Sequence, residues 1–151
     1  MPPAKEEVIL DIASRPRVIA AVLAALALAG CGDDGFPDLA PVGGVVTYQG
    51  KPLARGRVVF FPTGGTPGPT AVGTIGPDGS FRMKTLGRDG AAVGRHRVTV
   101  HLREQLTDQQ ARQVEMIVPK SLIPEKYGNP DQSGLVIDVQ EGGNVYPIEL
   151  D

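Results

Sequence analysis

In Arg95-His96-Arg97-Val98-Thr99-Val100-His101-Leu102, residues 96, 98, 100 and 102 form an apolar set, while 95, 97, 99 and 101, with Arg103 beyond, are charged or polar. Successive side chains of a strand point to opposite sides, so this two-residue period predicts a strand with one face on a core and one in water. His96 and His101 are five apart and fall on opposite faces, so they do not chelate one metal together. His96 is expected on the inner face near a strand end, and His101 in solvent.

The same rhythm continues on both sides. Towards the N-terminus, Val42, Gly44, Val46 and Tyr48 alternate with Gly43, Val45 and Thr47, until Gln49-Gly50-Lys51-Pro52 breaks the run. Val58-Val59-Phe60-Phe61 is β-branched or aromatic throughout and stops at Pro62. A loop over Thr63 to Pro69 leads to a weaker candidate, Ala71 to Ile75. Gly76-Pro77-Asp78-Gly79 reads as a tight turn, with Pro presetting φ and Gly closing it. It is expected to join Val72–Ile75 to Ser80–Lys84 as an antiparallel pair, with Phe81 and Met83 inward. Leu86-Gly87-Arg88-Asp89-Gly90 is read as a loop. Towards the C-terminus, Leu135 to Val139 and Asn144 to Leu150 are strands joined by Glu141-Gly142-Gly143-Asn144. Pro147 cannot donate to a ladder, which places the last strand at an edge. One insertion, 103–118, interrupts the series. Its Thr107-Asp108-Gln109-Gln110 has the form of a capping box, and Leu106, Val114 and Ile117 recur at near-helical spacing, predicting a short helix over 108–116. Seven short strands separated by Gly/Pro turns predict an all-β fold, a single β-sandwich with a short helical insertion.

Composition narrows the function classes. The 151 residues include 15 Lys+Arg and 17 Asp+Glu, a net charge of −2 without the basic excess that holds a phosphate backbone, so nucleic acid is not an expected partner. Four Phe, three Tyr and no Trp are few for stacking on bases or sugars. A single cysteine, Cys31, excludes an internal disulfide and a Cys-rich metal site.

The first thirty residues read as an address. Arg15-Pro16-Arg17 precedes a run from Val18 to Leu28 without a charge, and the small residues Ala29 and Gly30 follow. A positive flank, a short apolar core and small residues are the parts of an export signal. As a helix, residues 18–30 reach about 20 Å, short of the roughly 30 Å hydrocarbon core of a bilayer. Leu28-Ala29-Gly30-Cys31 resembles the lipobox of bacterial lipoprotein precursors. That resemblance implies recognition of Leu28, Ala29 and Gly30 by a signal peptidase, cleavage before Cys31, and acylation of the Cys31 sulfur. A thiolate is the easily alkylated group such chemistry needs. Each buried CH2 then contributes roughly 0.8 kcal/mol, so two or three chains hold far more firmly than one. Removing residues 1–30, which hold three charges of each sign, leaves the net charge at −2. Lipid is therefore the expected anchor, without help from a polybasic patch. Residues 31–41, acidic and broken by Gly and Pro, are read as a flexible tether reaching at most about 36 Å over ten residues.

A second resemblance covers residues 42–150, with 103–118 poorly matched. Val42-Gly43-Gly44-Val45-Val46-Thr47-Tyr48-Gln49-Gly50-Lys51-Pro52-Leu53, Val58 to Pro62, Pro77-Asp78-Gly79-Ser80-Phe81 and Gly94 to Val100 look like bacterial carboxypeptidase-regulatory-like domains. Ile123-Pro124-Glu125-Lys126-Tyr127 and Ser133-Gly134-Leu135 are similar to small lipoproteins carrying such domains. The resemblance implies a transthyretin-like (prealbumin-like), Ig-like sandwich over 42–151 with no catalysis of its own. The transthyretin-like fold includes hydroxyisourate hydrolase, whose family ends in Tyr-Arg-Gly. This chain ends Val145-Tyr146-Pro147-Ile148-Glu149-Leu150-Asp151 instead.

Residue by residue, other chemistry finds little purchase. Asp33 and Asp34 lack the alternating oxygen ligands of a calcium loop. Asp78 belongs to its turn. Ser80 and Ser121 sit in no nucleophile elbow, and Gly64-Gly65-Thr66-Pro67-Gly68 lacks the helix and Lys-Ser/Thr of a phosphate loop. The expectation is a non-catalytic protein without cofactor or metal, exported and held to an envelope membrane by lipid on Cys31. Its partner is an envelope protein or polysaccharide. The alternative is a carbohydrate- or peptide-binding module at the cell surface, and the two surfaces singled out are the edge at Pro147 and the 103–118 insertion.

Overall fold

A computed structural model describes residues 35–112 and 118–151. In chain order its strands are β1 (Leu39–Ala40), β2 (Val42–Tyr48), β3 (Lys51–Pro52), β4 (Gly56–Pro62), β5 (Ala71–Ile75), β6 (Ser80–Thr85), β7 (Arg88–Asp89), β8 (Ala91–Ala92), β9 (Gly94–His101), β10 (Val136–Val139) and β11 (Asn144–Leu150). A four-residue helix α1 (Asp108–Ala111) and a 3-10 turn, Glu125–Gly128, lie between β9 and β10. The fold is all-β, and the seven long strands fall on the seven stretches read as strands.

Those seven strands form one path, β10-β9-β4-β5-β6-β2-β11. Neighbours are antiparallel except at one end, where β11 runs parallel to β2 over its full length, Asn144 opposite Val42 through Leu150 opposite Tyr48. The turn read over 141–144 therefore does not close a hairpin. It carries the chain from β10, at one end of the path, to β11 at the other. Laid flat, six strand spacings would separate the two ends by about 29 Å. The four residues 140–143 bridge five Cα steps, about 18 Å at most. The sheet must curl, and its ends do meet. Tyr146 Oη donates to the Asp138 carbonyl at 2.6 Å. Asn144 Nδ2 donates to the Gln140 carbonyl at 2.8 Å, and Asn144 Oδ1 accepts from Gln140 N at 3.0 Å.

The inward set fills the interior of that curl. Val46, Val58, Phe60, Met83, Val98, Val100 and Val139 are almost wholly withdrawn from solvent, each burial stabilising by about 1.5–3 kcal/mol. Phe81 and Met83 point inward as expected, and the 76–79 turn closes with Gly79 N on the Gly76 carbonyl at 3.0 Å. Gly44 is required for a steric reason. A Cβ there would collide with the Tyr146 carbonyl and crowd the Phe81 ring, so only glycine lets β2 sit between β6 and β11.

Two segments read as breaks are tight hairpins. Gln49 (φ 50°) and Gly50 (φ 76°) turn β2 into β3, and Leu86 (φ 47°) and Gly87 (φ 85°) turn β6 into β7. Both central residues lie in the left-handed region, the geometry whose twist suits a two-residue hairpin.

The segment after the insertion folds back along β9. Leu122 N donates to the Leu102 carbonyl at 2.8 Å, Val98 N to the Leu135 carbonyl at 2.9 Å, and Arg97 pairs with Asp131. Ile123 and Tyr127 from this segment enter the core. Consequently the face of β9 expected to be wet is open at Arg95 and Arg97, whereas Thr99 is buried and His101 half-buried.

Candidate functional site

The residues carrying the proposed lipid chemistry, Leu28, Ala29, Gly30 and Cys31, lie outside the described residues. What the structure places is the entry of the chain into the β unit, which begins at Phe36. The tether expected over 31–41 is shortened by this. The Arg88 guanidinium stands 4.3 Å over the Phe36 ring, Leu39–Ala40 pairs with Ala91–Ala92, and Asn144 N donates to the Pro41 carbonyl at 2.9 Å. Apolar Phe36, Leu39 and Ala40 give residues 36–41 enough to bury that the acidic, Gly/Pro-rich composition misled. Cys31 to Phe36 is five Cα steps, about 18 Å at full stretch rather than 36 Å.

The two histidines occupy opposite faces of β9. His96 is wholly buried beside Phe60, ring centroids 5.7 Å apart. Its Nδ1 lies 3.0 Å from the Gly94 carbonyl, which assigns the proton to Nδ1, and Nε2 has no partner among the described residues. Burial pushes its pKa down from 6.5. His101 departs from its solvated expectation: Gly128 packs against the ring, and Thr99 Oγ1 is 3.0 Å from Nε2. Burial lowers its pKa, and the Arg103 and Arg57 guanidinium charges add to that. Among the described residues, no three His, Cys, Asp or Glu side chains converge as metal ligands.

The other singled-out groups hold structure together. Asp78 Oδ1 accepts from Ser80 Oγ at 2.6 Å and from Ser80 N at 3.1 Å, and these bonds hold its carboxyl below the ordinary range. Ser121 Oγ donates to the Ile123 carbonyl at 2.7 Å. Thr107 and Gln110 form the expected capping box at α1, and the helix covers Asp108–Ala111; residues 113–117, where the reading extended it, lie outside the described residues.

At the edge strand, β11 pairs among the described residues only with β2, in keeping with Pro147. Asn144 N donates to the Pro41 carbonyl and the Leu150 carbonyl accepts from Gln49 N, both at 2.9 Å. In a parallel ladder this fixes 144, 146, 148 and 150 as the residues turned towards β2, and 145, 147 and 149 as those turned outward. Pro147 thus sits in the middle of the outward set, removing the central N–H that an added strand would use. The edge is guarded.

The feature that sequence reading missed lies on the outer face of the sheet. Register sets Arg82 opposite Thr74, Thr74 opposite Arg57, and Arg57 opposite His101, so the four form one row across β6, β5, β4 and β9. Arg103 follows His101 on the same side, and an open groove of about 630 Å³ runs between Arg57, Thr74, His101 and Arg103. Two other cations on this face are neutralised, Lys84 by Asp89 at 3.4 Å and Arg97 by Asp131. Among the described residues, Arg57, Arg82 and Arg103 have no carboxylate partner. Strand parity put His101 and Arg103 on the wet side, and Arg82 there through inward Phe81 and Met83; Arg57 and Thr74 carried no such reading, and only the register aligns the row.

Among the described residues, no helix is long and apolar enough to cross a membrane. No family model, curated protein or solved structure matches this chain.

Proposed function

We propose that this chain is a lipid-anchored protein of the cell envelope, whose folded part is a non-catalytic β module presented for structural or protein contact. The observation that carries the reading is Leu28-Ala29-Gly30-Cys31, with the sole cysteine five residues before Phe36, where the β unit begins. Acylation at Cys31 through so short a link holds the module within about 18 Å of the lipid surface.

The finer fold reading is a transthyretin-like sandwich of the carboxypeptidase-regulatory-like kind. The curl of the seven-strand path around an apolar interior supports it. A presentation role is supported by where the polar side chains are used: His96 inside the core, Asp78 in a turn, and Asn144 at the junction of the sheet ends. A second reading, a carbohydrate- or peptide-binding module, rests on the cation row of the outer face.

Fractionation of cells producing the chain and its Cys31→Ser variant tests the anchor. The unaltered protein is expected with the membranes, and the variant in the soluble fraction or held as an uncleaved precursor. An unaltered protein that is soluble, or a variant that is equally processed and membrane-bound, overturns the proposal.

A further inference from the structure

We infer that the row Arg82–Thr74–Arg57–His101, continued by Arg103, is a binding track for an anionic polysaccharide, one carrying sulfate or phosphate groups along its length. The inference deepens the reading of a module presented at the envelope by naming its partner, and it does not need Cys31 to be acylated.

Three observations carry it. The first is charge without compensation. On a chain of net charge −2, the strand cations of this face include two with a carboxylate partner, Lys84 and Arg97, and four with none among the described residues: Arg57, Arg82 and Arg103 along the row, and Arg95 at the far end of β9. An unpaired guanidinium offers a planar set of donors suited to sulfate or phosphate oxygens. The second is linear order. Adjacent strands are about 4.8 Å apart, which puts the Arg57 and Arg82 backbones roughly 10 Å apart with Thr74 between them, and His101 about 5 Å beyond Arg57. A row crossing the strands meets a ligand whose charges repeat along a line, where a single small anion would need the arginines clustered. The third is the floor of the track. Thr74 lies between the two arginines, and on the other side of Arg82 stands Gly43, which has no side chain to crowd the Arg82 stem.

The same surface fits other occupants poorly. A peptide strand adds along a sheet edge, and this row lies on the face. A bilayer is entered by bulky apolar side chains, and the exposed large apolar residues on the strands of this face are single valines on four different strands, Val72 on β5, Val45 on β2, Val136 on β10 and Val145 on β11.

Dextran and dextran sulfate share one backbone and differ in the anionic group, so they are the probes. Binding to the full chain is followed by calorimetry at 50 and 200 mM salt. The inference expects saturable binding of dextran sulfate and none of dextran, with affinity falling about twentyfold between the two salt concentrations for three displaced counterions. Arg57→Gln with Arg82→Gln should weaken binding at least about tenfold, whereas Lys84→Gln with Arg97→Gln should change it less than about twofold. Thr74→Arg, which extends the row, should tighten it. All these positions except the half-buried His101, left unaltered, are exposed, and far-UV circular dichroism reports that the fold is kept. Equal weakening by the two double variants, a tie between inorganic sulfate and the polymer at equal anion concentration, tighter row-dependent binding to anionic phospholipid vesicles, or no binding of dextran sulfate at 50 mM salt each overturns the inference. The Cys31→Ser protein separates the two proposals, because it should lose the membrane and keep the polymer.

Discussion

Replacing His96 by leucine separates what this buried ring does at neutral pH from what it does in acid. In the folded protein Nδ1–H donates to the Gly94 carbonyl at 3.0 Å, and Nε2 is a buried acceptor without a partner. An unsatisfied buried group costs about 1–3 kcal/mol, and a made hydrogen bond returns about 0.5–1.5 kcal/mol. Leucine, similar in volume, removes both, so at pH 7.5 the variant should stay within about 1.5 kcal/mol of the natural chain. Acid tells them apart. Burial lowers the folded-state pKa of His96 below 6.5, so the unfolded chain takes up this proton first as pH falls. The stabilising contribution is complete above pH 6.5 and is lost as pH drops towards the folded-state value. While the folded ring stays neutral, the loss between pH 7.5 and 5.5 is about 1.4 kcal/mol for one proton. Urea unfolding of both proteins at the two pH values measures it. His101 and every carboxylate are common to the pair and cancel in the difference. The natural chain should lose more stability than His96→Leu on acidification, by up to about 1.4 kcal/mol. Equal losses, or a variant more than about 3 kcal/mol weaker at pH 7.5, would refute the assignment of a neutral, buried, half-satisfied imidazole.

Three further perturbations probe the sheet. Gly44→Ala drives a methyl into the Tyr146 carbonyl and the Phe81 ring, and should cost at least about 2 kcal/mol by urea unfolding; a change within about 0.5 kcal/mol would contradict the β2–β11 register. Asn144→Ala strips the partners from Gln140 N and the Gln140 carbonyl where the sheet ends meet, and thermal unfolding should register a loss of about 1–3 kcal/mol. Pro147→Val restores an outward N–H between Val145 and Glu149, so light scattering should detect concentration-dependent association absent from the natural chain. A variant that stays monomeric at high concentration removes the guarding role of Pro147.

Local chemistry made the long strands legible. Alternation in Val42–Tyr48 and Arg95–Leu102, together with the Gly76–Gly79 turn, located elements whose apolar faces the structure turns inward, although the wet face of β9 is covered at Thr99 and His101. Pairing was not legible, because nothing within Asn144–Leu150 distinguishes an antiparallel neighbour ten residues back from a parallel one a hundred residues away. The covering of Thr99 and His101 was hidden for a related reason: a segment some twenty to thirty residues downstream does it. The short hairpins did leave a trace. Gln49-Gly50 and Leu86-Gly87 each put glycine at the second central position of a turn with two positive φ angles, a signal that was read as a break. For the outer face, parity named Arg103 as outward and, through inward Phe81 and Met83, Arg82; Arg57 lay outside the stretch read as a strand, and the cross-strand register supplied the row.

The intact mass of the protein purified from membranes of its native cell tests the central claim most directly. The account predicts a chain that starts at Cys31, with residues 1–30 removed and the added mass of two or three acyl groups on the new N-terminal residue. A chain that starts at Met1 and has its unmodified mass contradicts it.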